Sequence, residues 1–219
     1  MKTLLRDNQN HAVTLLELLV VLAVLAVAAA ILLPDILRPR PVMRINCVNN
    51  LKQIGLATRV WEGDNNDKYP PSVSVTNGGS MEYSTGPNEW RHFQVMSNEL
   101  STPKVLICPR DTSRFFATNF TFMNNSNISF FFGVDASETN SMMFLSGDRN
   151  ITNGTLVKNS MLELTTNRPS GWTSEIHNKV GNVALADASV QQVSVTGLRT
   201  TVANTGLATN RLQMPILGP

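Results

Sequence analysis

The sequence predicts an α+β chain, in which an N-terminal transmembrane helix leads through a kinked stem helix onto a small antiparallel β-sheet domain. Three observations carry this prediction. An apolar run fills residues 13–33, helical periodicity resumes after a proline-rich stretch, and short strand-like runs separated by turn residues occupy the remainder. The 219 residues leave about 160–180 beyond the anchor, which suits one modest domain.

The first predicted element is a membrane-spanning helix over residues 13–33. As a helix rising 1.5 Å per residue, its 21 residues would cover a hydrocarbon core of about 30 Å. The residues 28–30, all alanine, resemble a signal-peptide cleavage site, but a secretory signal has an apolar region of only about 7–15 residues. The run continues to Leu33 and is interrupted near its start by Glu17. These features favour a single-pass anchor over a signal peptide.

Glu17 places a carboxylate inside this apolar run, and the presence of a charge there needs an explanation. A carboxylate at the bilayer centre costs roughly 2.5–3.5 kcal/mol, so intramembrane acids usually have a partner. Residues 13–33 contain no other charge. We therefore expect the partner to come from another copy of the chain, and a free N-terminal amine would serve.

The residues around this glutamate resemble a known processing site. Residues 12–19, AVTLLELL, are similar to the prepilin cleavage site of type IV pilins and type II secretion pseudopilins. The resemblance implies a leader over residues 1–12, cleavage between Ala12 and Val13, methylation of the new Val13 amine, and an assembly role for Glu17. The family usually carries Gly before the cut and Phe after it, so Ala12 and Val13 depart from its pattern.

The resemblance also implies partners and a location. It implies processing by prepilin peptidase, assembly with other copies and related pseudopilins, and contact with inner-membrane assembly machinery. Lys2 and Arg6 would lie in the cytoplasm and the globular domain in the periplasm of a bacterium. Charge alone leaves this orientation open, because Arg38, Arg40 and Arg44 follow the apolar run.

Residues 34–65 are predicted to form the kinked stem helix. Prolines at positions 34, 39 and 41 each remove a helical hydrogen bond at a cost of about 3 kcal/mol, so they should bend or break it. Helix is expected again from about residue 42 to 61, ended by Gly63 and the polar residues after it. The predicted apolar face consists of Val42, Ile45, Val48, Leu51, Ile54 and Val60.

Residues 66–219 are predicted to form the exported globular domain. Several motifs here and in the stem resemble pilin-like proteins of planctomycete and verrucomicrobial bacteria; they are residues 47–57, 67–70, 107–111, 146–150 and 177–187. The predicted strands are 104–108, 128–134, 141–146 and a hairpin of 182–186 with 189–193, and the predicted short helices are 91–100 and 198–204. Relatives carry Asp-Gly in the hairpin turn, whereas this chain has Asp187-Ala188, which predicts a different turn type or strain.

Cys47 and Cys108 are the two cysteines of the chain. In an oxidising compartment they predict a disulfide worth roughly 3–4 kcal/mol, and the alternative is two buried free thiols.

His177 and Asp187 form a pair that could be catalytic or bind a metal. No nucleophile motif accompanies them and two ligands make a poor metal site, so we expect Asp187 to set the turn and His177 to pack or bond beside it. Asp64 and Asp67 are weak candidates for a calcium loop, although their spacing does not match an EF-hand and a solvated turn is the alternative. Asp148-Arg149 is expected to form a local salt bridge or turn.

These observations predict a structural filament subunit that needs no cofactor. A net charge of +2 with no basic run argues against nucleic-acid binding, and no catalytic constellation indicates an enzyme. One alternative is a minor subunit with an exported glycan- or cation-binding head, for which Tyr83, Trp90 and Trp172 would supply aromatic surface. Another is an ordinary anchor carrying an exported enzyme domain.

Overall fold

The computed structural model describes residues 14–36 and 40–217. The chain divides into two compact units, Met1–Pro41 and Val42–Pro219, and each is described by itself. The predicted leader, the predicted cut between Ala12 and Val13, and Pro39 lie outside the described residues.

The first unit contains helix α1, Leu15–Ile36. Thr14 begins it in the manner of an N-cap, because its hydroxyl Oγ1 accepts the backbone N–H of Glu17 at 3.3 Å. Pro34 falls within the helix bounds. Among the described residues, no helix has both the length and the apolar character that crossing a membrane requires, and the predicted transmembrane helix is not confirmed.

Helix α2 spans Arg40–Gly63, and from Val42 onward it belongs to the second unit. Its buried face has helical spacing and consists of Cys47, Leu51, Ile54, Thr58 and Trp61. The predicted face was right at Leu51 and Ile54 but wrong at Ile45 and Val60, which are 57% and 51% exposed. The whole face was not identified from the sequence, because Cys47, Thr58 and Trp61 were not assigned to the apolar side of the helix.

A six-stranded antiparallel sheet packs beside α2, in the order β4-β8-β1-β2-β6-β7. Its strands are β1 Phe130–Gly133, β2 Phe144–Asp148, β4 Met161–Leu164, β6 Gly181–Leu185, β7 Val190–Val193 and β8 Asn210–Gln213. A separate antiparallel pair joins β3, Ile151–Thr152, to β5, Gly171–Trp172. Three further helices are α3 Trp90–Gln94, α4 Ser97–Leu100 and α5 Val195–Asn204. The α+β class and the antiparallel sheet are confirmed.

The sheet is covered on both faces. Successive strand residues point to opposite sides, so Phe130 and Phe132 of β1 join the core that contains α2, whereas Phe131 joins the core that contains Leu198 of α5. All three phenylalanines are fully buried. The sheet therefore fixes the residues near its strand ends between two packed layers.

Most predicted strands are present, with one clear exception. Residues 104–108 were predicted as a strand, but Pro103–Leu106 forms a 3-10 helix. Thr102 caps it by accepting the backbone N–H of Lys104, and proline suits the first helical position. This cap and proline outweigh the aliphatic run that suggested a strand.

The β6–β7 turn carries the predicted strain. Ala188 has φ +65°, a left-handed conformation, while the Asp187 carboxylate accepts the backbone N–H of Ser189 at 2.9 Å. A methyl group on Gly55 of α2 would lie 3.0 Å from the Ala188 methyl carbon. The turn therefore lies close to α2. It also holds an alanine in a left-handed conformation that alanine disfavours.

Ala188→Gly should raise the melting temperature. Relief of the left-handed alanine is worth about 1–2 kcal/mol, and the added unfolded-state entropy offsets about 0.4–1 kcal/mol of it. We expect an increase of about 2–4 °C by calorimetry. Gly206→Ala is the matched control, because Gly206 has φ +69° and open space around it, so that variant should melt lower. An unchanged or lower melting temperature for Ala188→Gly would contradict the strain.

Candidate functional site

Helix α1 presents apolar side chains on every side. Within its own unit the described side chains from Thr14 to Ala30 are all exposed, and Leu15, Val20 and Val27 are 81%, 53% and 60% accessible. A helix that is apolar all round is stable only where another apolar environment covers it. This helix is therefore a candidate assembly or anchoring segment.

Glu17 lies in the first turn of α1. The positive end of the helix dipole favours a carboxylate there. No basic residue occurs between Thr14 and Ile36, so α1 offers Glu17 no ion partner of its own. The carboxylate is thus placed at the end of the segment nearest the predicted cut.

A second feature is a buried polar centre in the globular unit. A disulfide joins Cys47 of α2 to Cys108, with 4.9 Å between the Cα atoms. The His177 Nε2 atom lies 3.5 Å from Cys108 Sγ and 3.4 Å from Asp148 Oδ2. All four residues are at most 1% exposed.

Two neighbouring strands hold the acidic member of this centre. Asp148 ends β2, and its Oδ2 accepts the backbone N–H of Asn182 in β6 at 2.7 Å and the side-chain amide of the same residue at 2.8 Å. Burial raises the pKa of Asp148 to about 7, although the two Asn182 donors oppose the rise. Burial, followed by the charges of Arg44 and Arg110, lowers the pKa of His177 to about 4. The imidazole is therefore neutral at neutral pH.

The structure does not join His177 to Asp187 by a hydrogen bond or ion pair within the described part of the chain. Asp187 lies exposed in the β6–β7 turn and bonds Ser189, whereas His177 faces Asp148 and the disulfide. Sequence reasoning missed Asp148 in this role, because it appeared beside Arg149 as a local pair.

Arg149 forms its ion pairs with residues other than the neighbouring Asp148. Its guanidinium lies 2.6 Å from Asp111 and 2.8 Å from Glu175, beside a cleft of about 670 Å³. Burial by itself would raise the pKa of Asp111, but hydrogen bonds from Arg149 and Ser113 outweigh it and hold that pKa below its usual value. Arg149 thus pairs with both acidic residues that line this cleft.

Of the two residues predicted for a calcium loop, only Asp67 belongs to a carboxylate cluster in the structure. Asp67 lies near Glu62 and Glu138, with carboxylate oxygens within 4.8 Å of one another, and Asp64 is not among them. Arg59 lies 3.0 Å from both glutamates. Burial and the neighbouring Glu138 raise the pKa of Glu62 to about 7. Arg59 therefore offsets part of the negative charge of this cluster through its pairs with Glu62 and Glu138.

The aromatic residues suggested for glycan binding pack within the domain. Trp172 is only 5% exposed and lies over Gly181, where a methyl group would meet its ring at 2.2 Å. The Arg91 guanidinium stacks 3.9 Å from the Trp90 ring centre and 5.2 Å from that of Tyr83. Trp172 is therefore unavailable to a ligand, and Tyr83 and Trp90 are half-buried beside Arg91.

His92 is a buried ionisable residue that the sequence did not reveal. Its Nδ1 lies 2.7 Å from the Ser80 hydroxyl and its Nε2 lies 2.7 Å from Gln213 Oε1. The Gln213 amide donates to the carbonyls of Tyr83 and Gly86, which leaves its oxygen to accept from His92. These contacts fit a neutral imidazole protonated at Nε2, and burial lowers the pKa of His92 to about 4.

This neutral histidine should make the domain sensitive to acid. The unfolded chain takes up a proton near pH 6.5, but folded His92 does so only near pH 4. Between these values the unfolded state binds more protons, so stability falls as pH falls, by about 3 kcal/mol in all. Urea unfolding of His92→Gln and the wild type at pH 4.5 and 7 should show a smaller pH dependence in the variant. Equal pH dependence would contradict this assignment.

The comparisons with known proteins bear on the N-terminal segment. Residues 7–33 match the prokaryotic N-terminal methylation motif, which is the signal of type IV pilins and pseudopilins. No curated protein and no solved structure matches the chain. The motif supports a pilin-like structural subunit rather than an enzyme, and the planctomycete and verrucomicrobial resemblance stays a prediction.

Proposed function

We propose that the chain is a structural subunit of a type II secretion or type IV pilus-like filament, processed by prepilin peptidase. The observation that carries the proposal is the methylation motif over residues 7–33. The motif overlaps α1, whose described side chains are exposed and, apart from Glu17, apolar. Such a segment gains about 25 cal/mol for each Å² of apolar surface that assembly covers.

In this proposal the precursor is anchored in the inner membrane with its globular domain exported. Prepilin peptidase cuts between Ala12 and Val13, and the new Val13 amine is methylated. The subunit then joins other copies and related pseudopilins through the assembly machinery. The motif supports each of these steps, and a disulfide in the globular domain is consistent with export to an oxidising compartment.

Glu17 would act when the subunit enters the filament. We propose that its carboxylate pairs with the Val13 amine of a neighbouring subunit. Among packed apolar helices this attraction is much stronger than in water. A buried charge without its partner is costly, so the pair would select one axial register between neighbours.

Deletion of the peptidase gene in a host that assembles the filament tests the proposal. The chain should then keep its leader and disappear from the filament fraction sheared from cells, while its total amount stays similar. Complementation with active peptidase should restore both, and an inactive peptidase is the control. Filament incorporation without the peptidase would contradict the proposal.

A further inference from the structure

The centre around the disulfide contains four metal-ligating side chains. Cys47, Cys108, His177 and Asp148 come from four separate parts of the chain and meet in the interior. Each is at most 1% exposed. A disulfide alone does not require an imidazole and a carboxylate beside its sulfur atoms.

Two of the distances within this group match those between adjacent ligands of a zinc tetrahedron. With Zn–S near 2.3 Å, Zn–N near 2.0–2.1 Å and Zn–O near 2.0–2.2 Å, adjacent ligands lie about 3.3–3.8 Å apart. The His177 Nε2 atom is 3.5 Å from Cys108 Sγ and 3.4 Å from Asp148 Oδ2. The ligand atoms of Cys47, Cys108 and His177 all lie within 4.8 Å of one another. Zinc binding would need cleavage of the sulfur–sulfur bond and movement of the side chains, including that of Asp148, toward the metal.

An unsatisfied carboxylate oxygen gives independent support. Asp148 Oδ2 accepts two hydrogen bonds from Asn182, which fix the carboxylate. Its Oδ1 atom is buried and has no hydrogen-bond partner. Buried polar atoms are normally satisfied, so the free Oδ1 atom is the one available to a ligand, whereas the 3.4 Å contact with His177 is made by Oδ2. Such supporting hydrogen bonds are typical of metal-binding carboxylates.

We propose that the reduced form of this centre binds Zn²⁺ through Cys47, Cys108 and His177, with Asp148 as the fourth ligand. A thiol or phosphine reductant supplies two electrons, and the disulfide takes up two protons to give two thiols. Zinc then displaces those two protons from the sulfur atoms. Metal and disulfide are mutually exclusive, and either one ties α2 to the segment that contains Cys108.

This arrangement would keep α2 linked to the segment that contains Cys108 both before and after the two cysteines are oxidised. Metal binding to a site assembled by folding contributes to folding free energy. A reduced chain that holds zinc would therefore keep the α2 contact until an oxidant forms the disulfide and releases the metal. The inference concerns the globular unit and does not depend on the proposed filament role.

The test uses the full chain in detergent. One sample is oxidised, and the other is reduced with a phosphine in mild urea and then returned to buffer with Zn²⁺ or Co²⁺. After gel filtration, elemental analysis should give one zinc per reduced chain and none per oxidised chain. Cobalt should show the visible bands of a tetrahedral site with sulfur ligands.

Variants identify the ligands. His177→Ala should weaken zinc binding by roughly 100-fold or more, since loss of a supporting residue alone costs 10–100-fold, and Asp148→Asn should weaken it less. His92→Gln, at the other deeply buried histidine, should bind zinc as the wild type does. If the reduced chain unfolds without metal, zinc should restore its circular dichroism spectrum. Absence of stoichiometric zinc, or equal affinity in His177→Ala, would overturn the proposal.

Discussion

Glu17→Ala should abolish filament incorporation while leaving the amount and processing of the chain unchanged. The substitution removes the carboxylate from the first turn of α1 without shortening its apolar surface. If Glu17 pairs with a neighbour's Val13 amine, its loss leaves that amine unpartnered among apolar helices. Breaking a buried pair in this way costs about 3–5 kcal/mol, which corresponds to a loss of affinity of roughly 100-fold or more.

The measurement is the ratio of filament-bound to cellular chain in sheared and membrane fractions. Glu17→Gln separates charge from side-chain volume and should fail nearly as completely as alanine. Glu163→Gln, at an exposed acid in β4, is the matched control and should assemble normally. Normal incorporation of Glu17→Ala would refute the assembly contact.

Removal of the disulfide should cause the largest loss of stability in the globular unit. The bond closes a loop with a sequence separation of 61 residues, for which the chain-entropy model gives about 4 kcal/mol. Cys47→Ala/Cys108→Ala should therefore lower the free energy of unfolding by about that amount. Urea unfolding followed by tryptophan fluorescence suits the measurement, because Trp61 and Trp172 are both only 5% exposed.

The single variants provide the comparison for this experiment. Each also lacks the bond, so Cys47→Ala and Cys108→Ala should each lie within about 1 kcal/mol of the double variant. Chelator in all samples keeps the metal from contributing. A loss below about 1 kcal/mol would show that the covalent link adds little to the packing of α2.

The sequence predicted the elements whose signals are local. The β6–β7 hairpin and its strained Ala188 follow from alternation around a turn, and α5 follows from periodicity ended near Gly206. The error at residues 104–108 arose because the Thr102 cap and Pro103 act against the aliphatic run. Strand β8 was missed because its residues, Asn210–Gln213, are mostly polar and are buried through tertiary packing.

The buried polar centre could not be predicted because its members are distant in sequence. Cys47, Cys108 and His177 each occur in recognisable motifs, but their meeting depends on how α2 packs on the sheet. Asp148 was obscured by Arg149, which turns away to Asp111 and leaves its neighbour in the interior. The N-terminal segment, in contrast, could be predicted from the sequence. Its apolar run contains Glu17, and the methylation motif lies within residues 7–33.

Mass spectrometry of the mature N-terminus would show directly whether prepilin peptidase processes this chain. The chain is purified from cells that contain prepilin peptidase, and its N-terminal peptide is sequenced. We expect a chain that begins at Val13 with a methylated amine and lacks residues 1–12. A chain that retains residues 1–12, or one cut after the alanines at 28–30, would contradict it.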